Sequence, residues 1–306
     1  MITNIQSLMD KSKKFAKENN LSVQQVLQNY MFERFLDRLS KSEYKENFII
    51  KGGLLLSSIM GINMRTTMDI DANITGMNFE ISQIQEMVKN ILSIELNDNV
   101  KFNLENLTLI KEDNEYGGYK FKITGTQSNV KVPFSIDIST GDIITPRAIE
   151  YKYKTILENE YINLYTYNYE TIIAEKLETI LKRNVANSRM KDYYDIYYFA
   201  YKKWNDIDKD TLKQAINTTF NHRDSQYELD NHKVIINQLR GSEYLKKLWE
   251  AYKSIHDYAK NILYEDVINA VEMILGDKHW KQKSMFGKHN KKRVMEYIGL
   301  TEQERK

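Results

Sequence analysis

The first 45 residues carry apolar positions at helical spacing, together with the signals that start a helix. Ser22 is suited to be an N-cap, Gln25 stands three residues later where it completes a capping box, and Leu21 is placed to pack on Val26. Residues 1–45 are therefore predicted to form a helical N-terminal segment.

Extended and helical segments then alternate. Residues 47–50 are a short apolar run that stops at Lys51-Gly52-Gly53, which is typical of a buried strand, and the apolar run at 54–60 favours a buried helix. Polar and apolar residues alternate from 68 to 74, which predicts a second strand.

The pattern returns to helical spacing at residues 79–94. Residues 100–110, 119–125 and 130–139 are rich in β-forming residues, with Gly117-Gly118 as a turn. The predicted order is helix, strand, helix, strand, helix and then three strands joined by turns.

The second half is predicted to be helical, because both prolines precede residue 150 and glycine is scarce between 157 and 280. Helices are predicted at 171–183, 191–201, 211–220 and 242–275. We place a domain boundary near residue 155. The predicted fold class is an α/β (α+β) domain over 1–155 followed by a mainly α-helical domain over 156–306.

Composition excludes several kinds of site. The chain has no cysteine, so disulfides, thiolate nucleophiles and cysteine-ligated zinc are excluded, and none of its five histidines pair at i, i+4 spacing. No stretch approaches the ~20 apolar residues that span a bilayer, and the first twenty residues lack the apolar core of a signal peptide. These features predict a cytoplasmic protein without a membrane segment.

Three aspartates are candidates for binding a divalent cation. Asp69 and Asp71 lie two apart in a predicted strand, so both side chains leave the same face. Asp137 lies in another predicted strand and is the candidate for a third carboxylate. These hard oxygen ligands suit Mg²⁺ or Mn²⁺ and in-line displacement at phosphorus. For the Asp-x-Asp pattern taken alone, a solvated strand edge is the alternative.

Gly52 and Gly53 follow a predicted strand and precede a predicted helix. Without side chains the backbone can approach a ligand closely, and a helix N-terminus offers unpaired N–H groups to phosphate. No Gly-Lys-Ser/Thr follows, so this is not a Walker A loop, and plain turn chemistry is the alternative. Arg65 can clamp a phosphate or pair with a nearby carboxylate.

Charged residues also stand inside the helical half. Lys176 falls within the apolar stripe of the helix predicted at 171–183, so its ammonium either reaches the helix edge or faces a triphosphate or a metal-bound acid. Downstream, Asp192 and Asp195 share a helical face, and Lys191 can pair with Asp195 at i, i+4. Flanking aromatic residues predict that these charges line a cleft. An ordinary surface ion pair is the alternative.

The end of the chain is basic. Residues 278–293 hold seven lysines and arginines and no acidic residue, with aromatic residues interleaved. Cations that bind phosphates and aromatic rings that stack on bases favour an RNA-binding segment. A solvated basic tail is the alternative. The candidate RNA contacts are Lys278, Trp280, Lys281, Lys283, Lys291, Lys292 and Arg293.

Taken together, these motifs resemble a known family. Lys51-Gly52-Gly53, followed by the sequence RTTMDID at 65–71, is similar to the first signature of the DNA polymerase β-like nucleotidyltransferase superfamily, in the form of its AbiEii/AbiGii toxin branch. FSIDISTGD at 134–142 resembles the second signature, and 174–177 with 189–196 resembles the third and fourth. The likeness runs over roughly residues 47–200.

The resemblance implies a bilobed nucleotidyltransferase-like fold whose N-terminal domain has a mixed sheet. It implies transfer of NMP from an NTP, with magnesium at Asp69, Asp71 and Asp137 and catalytic roles for Lys176 and Asp192 as well. The implied nucleotide-binding residues are Gly52, Gly53, Arg65, Thr67, Lys176, Lys191 and Asp195.

The implied acceptor is RNA, the 3′ end of a tRNA, so that transfer blocks translation and growth. The implied setting is a bacterial toxin–antitoxin or abortive-infection system for phage defence, with a cognate antitoxin. The alternatives are a regulator that binds GTP or another NTP without transfer, and transfer of NMP to a protein hydroxyl.

Overall fold

A computed structural model describes residues 2–65, 67–77, 80–110 and 117–276. The chain divides into two compact units between Ile172 and Ile173. The predicted boundary near residue 155 falls inside the first unit, because a strand that begins after it, Tyr161–Thr166, pairs with the strand Phe48–Lys51.

The first unit combines helices with a sheet. Its elements are α1 (Ile5–Glu18), α2 (Val23–Ser40), β1 (Phe48–Lys51), α3 (Gly52–Met60), β2 (Asp69–Ile74), α4 (Ile81–Ser93), β3 (Val100–Ile110), β4 (Gly118–Gln127), β5 (Val130–Thr140), β6 (Ile149–Lys154) and β7 (Tyr161–Thr166). The predicted order is confirmed through β5, and Ser22 caps α2 in the predicted capping box with Gln25. Strands β6 and β7 were not predicted, because short runs of this kind depend on a neighbouring strand for a buried face.

The seven strands form one mixed sheet in the order β3-β4-β5-β2-β1-β7-β6. Strand β2 runs parallel to β5 and β1 parallel to β7, whereas the other pairs are antiparallel. Helix α2 packs against β5 and β7 and is buried along most of its length. The predicted mixed sheet is confirmed, and β2 and β5 lie side by side within it.

Helix α2 carries charged residues into the core of the first unit. Glu33 is wholly buried, and its Oε1 accepts a hydrogen bond from the Ile156 N–H at 2.8 Å. Burial raises the pKa of Glu33 to about 8 and the nearby Glu158 adds to the rise, although the Ile156 hydrogen bond and Arg34 oppose it. Glu33 is therefore protonated in the folded protein at neutral pH.

The Glu33→Gln variant is expected to be more stable than the wild type above about pH 8 and to lose that advantage toward acidic pH. In the unfolded chain this carboxyl ionises near its ordinary value of 4.5, so the stability of the wild type falls as pH rises from there through about 8. The resulting decrease in the free energy of unfolding of the wild type is ~5 kcal/mol at high pH. Urea unfolding at about pH 5 and pH 9 measures it, with the exposed Glu95→Gln as control. A difference between variant and wild type that does not change with pH would contradict this account.

The second unit is built from helices. They are α5 (Tyr169–Arg183), which begins just before the division, α6 (Met190–Lys202), α7 (Lys209–His222), α8 (Gln226–Asp230), α9 (His232–Gly241), α10 (Glu243–Ile255) and α11 (Tyr264–Leu275). The predicted helical character is confirmed, and α8 and α9 are additional. No helix among the described residues is both long and apolar enough to cross a bilayer.

The helix predicted at 242–275 is two helices, α10 and α11. The chain leaves α10 after Ile255, and the Trp249 indole N–H donates to the Ile262 carbonyl at 3.0 Å, which holds the connection against α10. Ala259 and Ile262 are buried in that connection. The apolar residues of 256–263 therefore supply core contacts without continuing the helix, which apolar spacing alone does not reveal.

Candidate active site

Three aspartates of the first unit lie together on one face of the sheet. Strands β2 and β5 are parallel neighbours in the register that places Asp71 opposite Asp137. Asp69 lies two residues before Asp71, so its side chain leaves the same face. Each of the three offers a carboxylate oxygen, and these oxygens lie within 4.8 Å of one another. The sheet therefore gathers the three residues proposed from sequence into one cluster.

The cluster is electrostatically strained. Burial and the neighbouring Asp69 carboxylate raise the pKa of Asp71, against a hydrogen bond from the Gly53 N–H and the charge of Lys51. Burial also raises the pKa of Asp137, with Lys120 lowering it and Asp69 raising it. A divalent cation would relieve this repulsion, and a set of carboxylate oxygens is what Mg²⁺ and Mn²⁺ prefer. The residues present thus fit a hard divalent metal ion.

The turn from β1 into α3 lies against these carboxylates. Gly52 has φ +63°, and a Cβ there would overlap the Asp71 carboxylate. A Cβ on Gly53 would overlap the Thr67 hydroxyl, which donates to Asp69 Oδ1 at 2.9 Å. The Gly53 N–H donates to Asp71 Oδ2 at 3.1 Å. The glycine pair, predicted to approach a phosphate, thus also lets the backbone support the carboxylate cluster.

Two further predicted nucleotide-binding residues lie beside this turn. Arg65 is 6% exposed, and its Nη1 lies 3.7 Å from the position that a Gly53 Cβ would take. Thr67 contacts Asp69 through the hydroxyl already described. Both residues therefore lie at the carboxylate cluster.

The Gly52→Ala variant is expected to be less stable and to lose activity. A left-handed backbone costs a residue with a side chain about 1–3 kcal/mol, and the Asp71 carboxylate must move to make room. Gly241→Ala is the matched control, since a Cβ at Gly241 meets nothing within 4 Å. Thermal unfolding and an assay of the nucleotidyl transfer that the resemblance implies measure the two effects. Equal behaviour of the two variants would contradict the role assigned to Gly52.

Two lysines flank the carboxylates in the same row of the sheet, and neither was among the predicted site residues. Lys120 of β4 lies opposite Asp137, and Lys51 of β1 lies opposite Asp71. Lys120 Nζ lies 2.7 Å from Asp137 Oδ1. Lys51 Nζ instead donates to Asp142 Oδ2 at 2.6 Å and to Ser139 Oγ at 2.8 Å. The row across β4, β5, β2 and β1 therefore consists of two central aspartates with a lysine on each side.

A sequence signal for Lys120 does exist. Strands β4 and β5 are joined by the two residues 128 and 129, with Gln127 opposite Val130. In an antiparallel hairpin this turn sets every later pair, so Lys120 must stand opposite Asp137. Recognising the turn at 128–129 was enough to place a lysine beside the third aspartate.

In the second unit, Lys176 has two carboxylate partners. Its Nζ lies 2.7 Å from Asp192 Oδ1 and 2.7 Å from Asp195 Oδ2, and both aspartates are buried. Arg189 Nε donates to Asp192 Oδ2 at 2.8 Å. Although burial raises the pKa of Asp192, the charges and hydrogen bonds of Lys176 and Arg189 prevail and lower it to about 2. Asp192 and Asp195 share a helical face as predicted.

The remaining predicted site residues do not all lie where the sequence analysis placed them, and some lie outside the described residues. Lys191 lies exposed at the start of α6. Asp195, its predicted partner, pairs with Lys176. The basic segment 278–293, with Lys278, Trp280, Lys281, Lys283, Lys291, Lys292 and Arg293, lies outside the described residues.

Comparison with known proteins assigns the chain to a family. The profile of the family described as "Nucleotidyl transferase AbiEii toxin, Type IV TA system" matches residues 34–270, which include all three clustered aspartates and the Lys176 cluster. The chain belongs to this family. The resemblance found in the sequence is confirmed, and the AbiEii assignment identifies the chain as a nucleotidyltransferase toxin of a type IV toxin–antitoxin system.

One solved structure supports the fold, and a second is reported for comparison only. MenT4, the nucleotidyltransferase toxin Rv2826c from Mycobacterium tuberculosis H37Rv, aligns with a TM-score of 0.53 at 14% identity, covering 94% of this chain and 98% of that chain. JHP933 from Helicobacter pylori aligns with a TM-score of 0.44 at 13% identity, covering 90% of this chain and 97% of that chain. No curated protein matches the chain at the level of sequence. The likeness to MenT4 supports the fold of the AbiEii chain.

Proposed function

We propose that this AbiEii-family chain transfers NMP from an NTP to RNA, at the 3′ end of a tRNA, with Mg²⁺ or Mn²⁺ at Asp69, Asp71 and Asp137. The observation that carries the proposal is the meeting of these three carboxylates on β2 and β5. A divalent cation held there supplies charge neutralisation for an in-line displacement at phosphorus.

The residues of the first unit have distinct roles in this proposal. The acceptor hydroxyl oxygen bonds to the α-phosphorus, the bond to the β-phosphate oxygen breaks, pyrophosphate leaves, and the hydroxyl proton passes to the Asp137 carboxylate. Thr67 holds Asp69 through its hydroxyl, and Gly53 holds Asp71 through its N–H. Arg65 and the Gly52-Gly53 turn bind the phosphates.

For the second unit we propose that Lys176, Lys191, Asp192 and Asp195 are required for transfer and nucleotide binding. The support is their place in the matched family region and, for Lys176 with its two aspartates, a buried charged cluster of the kind that functional sites retain despite its cost. We propose further that the toxin acts in the cytoplasm, blocks translation, serves phage defence and is neutralised by a cognate antitoxin.

The test is a transfer assay. The purified protein is incubated with Mg²⁺, each of the four labelled NTPs and total RNA, and we expect label on RNA of tRNA size, abolished by EDTA. RNA whose 3′ ends have been oxidised by periodate should accept no label, because the acceptor hydroxyl is gone. Bound NTP without transfer indicates the regulator instead, and label on protein indicates a protein hydroxyl. Either result would contradict the proposal.

A further inference from the structure

The ammonium of Lys120 forms an ion pair with the carboxylate cluster of Asp69, Asp71 and Asp137. Lys120 Nζ lies 2.7 Å from Asp137 Oδ1, and the Lys120 side chain is 30% exposed. The same Asp137 contributes an oxygen to the group that spans only 4.8 Å with Asp69 and Asp71. An ammonium at ion-pair distance from a carboxylate and a divalent cation coordinated by that carboxylate compete for the same negative charge.

The other flanking lysine is held differently. Lys51 stands opposite Asp71 in the row, but its ammonium is engaged by Asp142 and Ser139 at 2.6 and 2.8 Å. Lys120 pairs directly with a carboxylate of the cluster. Its stem starts from β4 at the position opposite Asp137, and its partial exposure leaves the ammonium room to swing toward solvent.

We propose that Lys120 is a positioning residue that holds the Asp137 carboxylate in the metal-free enzyme and is displaced from it when a divalent cation binds. This rests on the proposed function, since it uses the same metal site. The pairing orients Asp137 toward Asp69 and Asp71 and offsets part of the repulsion in the empty cluster. Metal binding must then break the ion pair and tolerate a nearby positive charge, so Lys120 weakens the intrinsic affinity for metal.

The inference predicts the unusual result that removing a lysine tightens metal binding. Mn²⁺ is the probe, because EPR distinguishes free from bound Mn²⁺ without any turnover. At about pH 8 we expect Lys120→Met to bind Mn²⁺ about fivefold more tightly than the wild type, the change that follows from losing one partly exposed ion pair. Lys120→Arg, which keeps the charge, should bind Mn²⁺ like the wild type.

A lysine on the same face of the same strand provides the matched control. Lys122 lies two residues along β4, opposite Ser135, and is exposed. Lys122→Met removes the same charge from the same strand, so a tightening equal to that of Lys120→Met would indicate general electrostatics and overturn the inference. Unchanged or weaker Mn²⁺ binding by a folded Lys120→Met variant would overturn it as well, because a purely structural role predicts one of these.

A second variant separates this inference from the proposed function. Asp71→Asn should lose Mn²⁺ binding if the three carboxylates form the metal site. If Asp71→Asn binds Mn²⁺ as the wild type does, both the metal site and the displacement of Lys120 are contradicted. If Asp71→Asn loses binding and Lys120→Met does not tighten it, the metal site stands and only the role of Lys120 is overturned.

Discussion

The Asp71→Asn variant is expected to lose nucleotidyl transfer by at least about a thousandfold while becoming more stable. Asp71 is one of the three carboxylates of the proposed metal site, so its replacement removes negative charge that binds the divalent cation. A thousandfold loss of rate corresponds to about 4 kcal/mol of transition-state stabilisation. Asn keeps an oxygen that accepts the Gly53 N–H, so the turn next to it is retained.

The gain in stability follows from the sign of the pKa shift. Burial and Asp69 raise the pKa of Asp71 in the folded protein above its value of 3.8 in the unfolded chain. As pH rises above the pKa of Asp71 in the unfolded chain, the free energy of unfolding of the wild type therefore falls. Asn cannot ionise, so the variant does not show this decrease. Transfer of labelled NMP measures the first effect, and urea unfolding at about pH 8 in the presence of EDTA measures the second, with the exposed Asp10→Asn as control. A variant that loses both activity and stability would contradict the prediction.

The Lys176→Met variant is expected to lose about 3–5 kcal/mol of stability near pH 7. Asp195 is 0% exposed and Asp192 is 3% exposed, so both carboxylates stay buried after the ammonium that lies 2.7 Å from each is removed. The pKa of Asp192, lowered to about 2, means that the cluster stabilises the fold above about pH 4. That contribution is lost as pH falls through about 2. The cost of Lys176→Met should therefore shrink in acid.

A double variant separates the structural role of Lys176 from its predicted catalytic role. Lys176→Met with Asp195→Asn removes one uncompensated charge and leaves Asp192 paired with Arg189, so most of the stability should return. If Lys176 acts in transfer, the stable double variant remains less active than Asp195→Asn alone, which is assayed beside it. Urea unfolding and the transfer assay measure the two properties, with the exposed Lys213→Met as control for stability. Recovery of activity together with stability would refute a catalytic role.

Helices and strands whose pattern of residues lies within the element itself could be predicted from the sequence. The capping box at Ser22, the strand at 68–74 and the helix after Gly52-Gly53 were predictable because each depends on residues close together in the chain. Strands β6 and β7 escaped prediction, since their burial depends on pairing with β1. The single helix predicted at 242–275 failed because the buried residues in its middle belong to a connection.

The sequence by itself determined the chemistry available to this protein: two aspartates on one strand face, a third in a distant strand, a glycine turn and a lysine in an apolar stripe. These are matters of residue type and spacing, which the chain carries locally. Only the tertiary structure decided that β2 and β5 are parallel neighbours in the register that sets Asp71 beside Asp137. This register depends on packing between strands that are remote in sequence, because their pairing is stabilised by the core that they share. Neither strand shows in its own sequence which strand it will pair with. Helix packing likewise gave Lys176 its two aspartates, whereas the local hairpin turn at 128–129 placed Lys120 opposite Asp137.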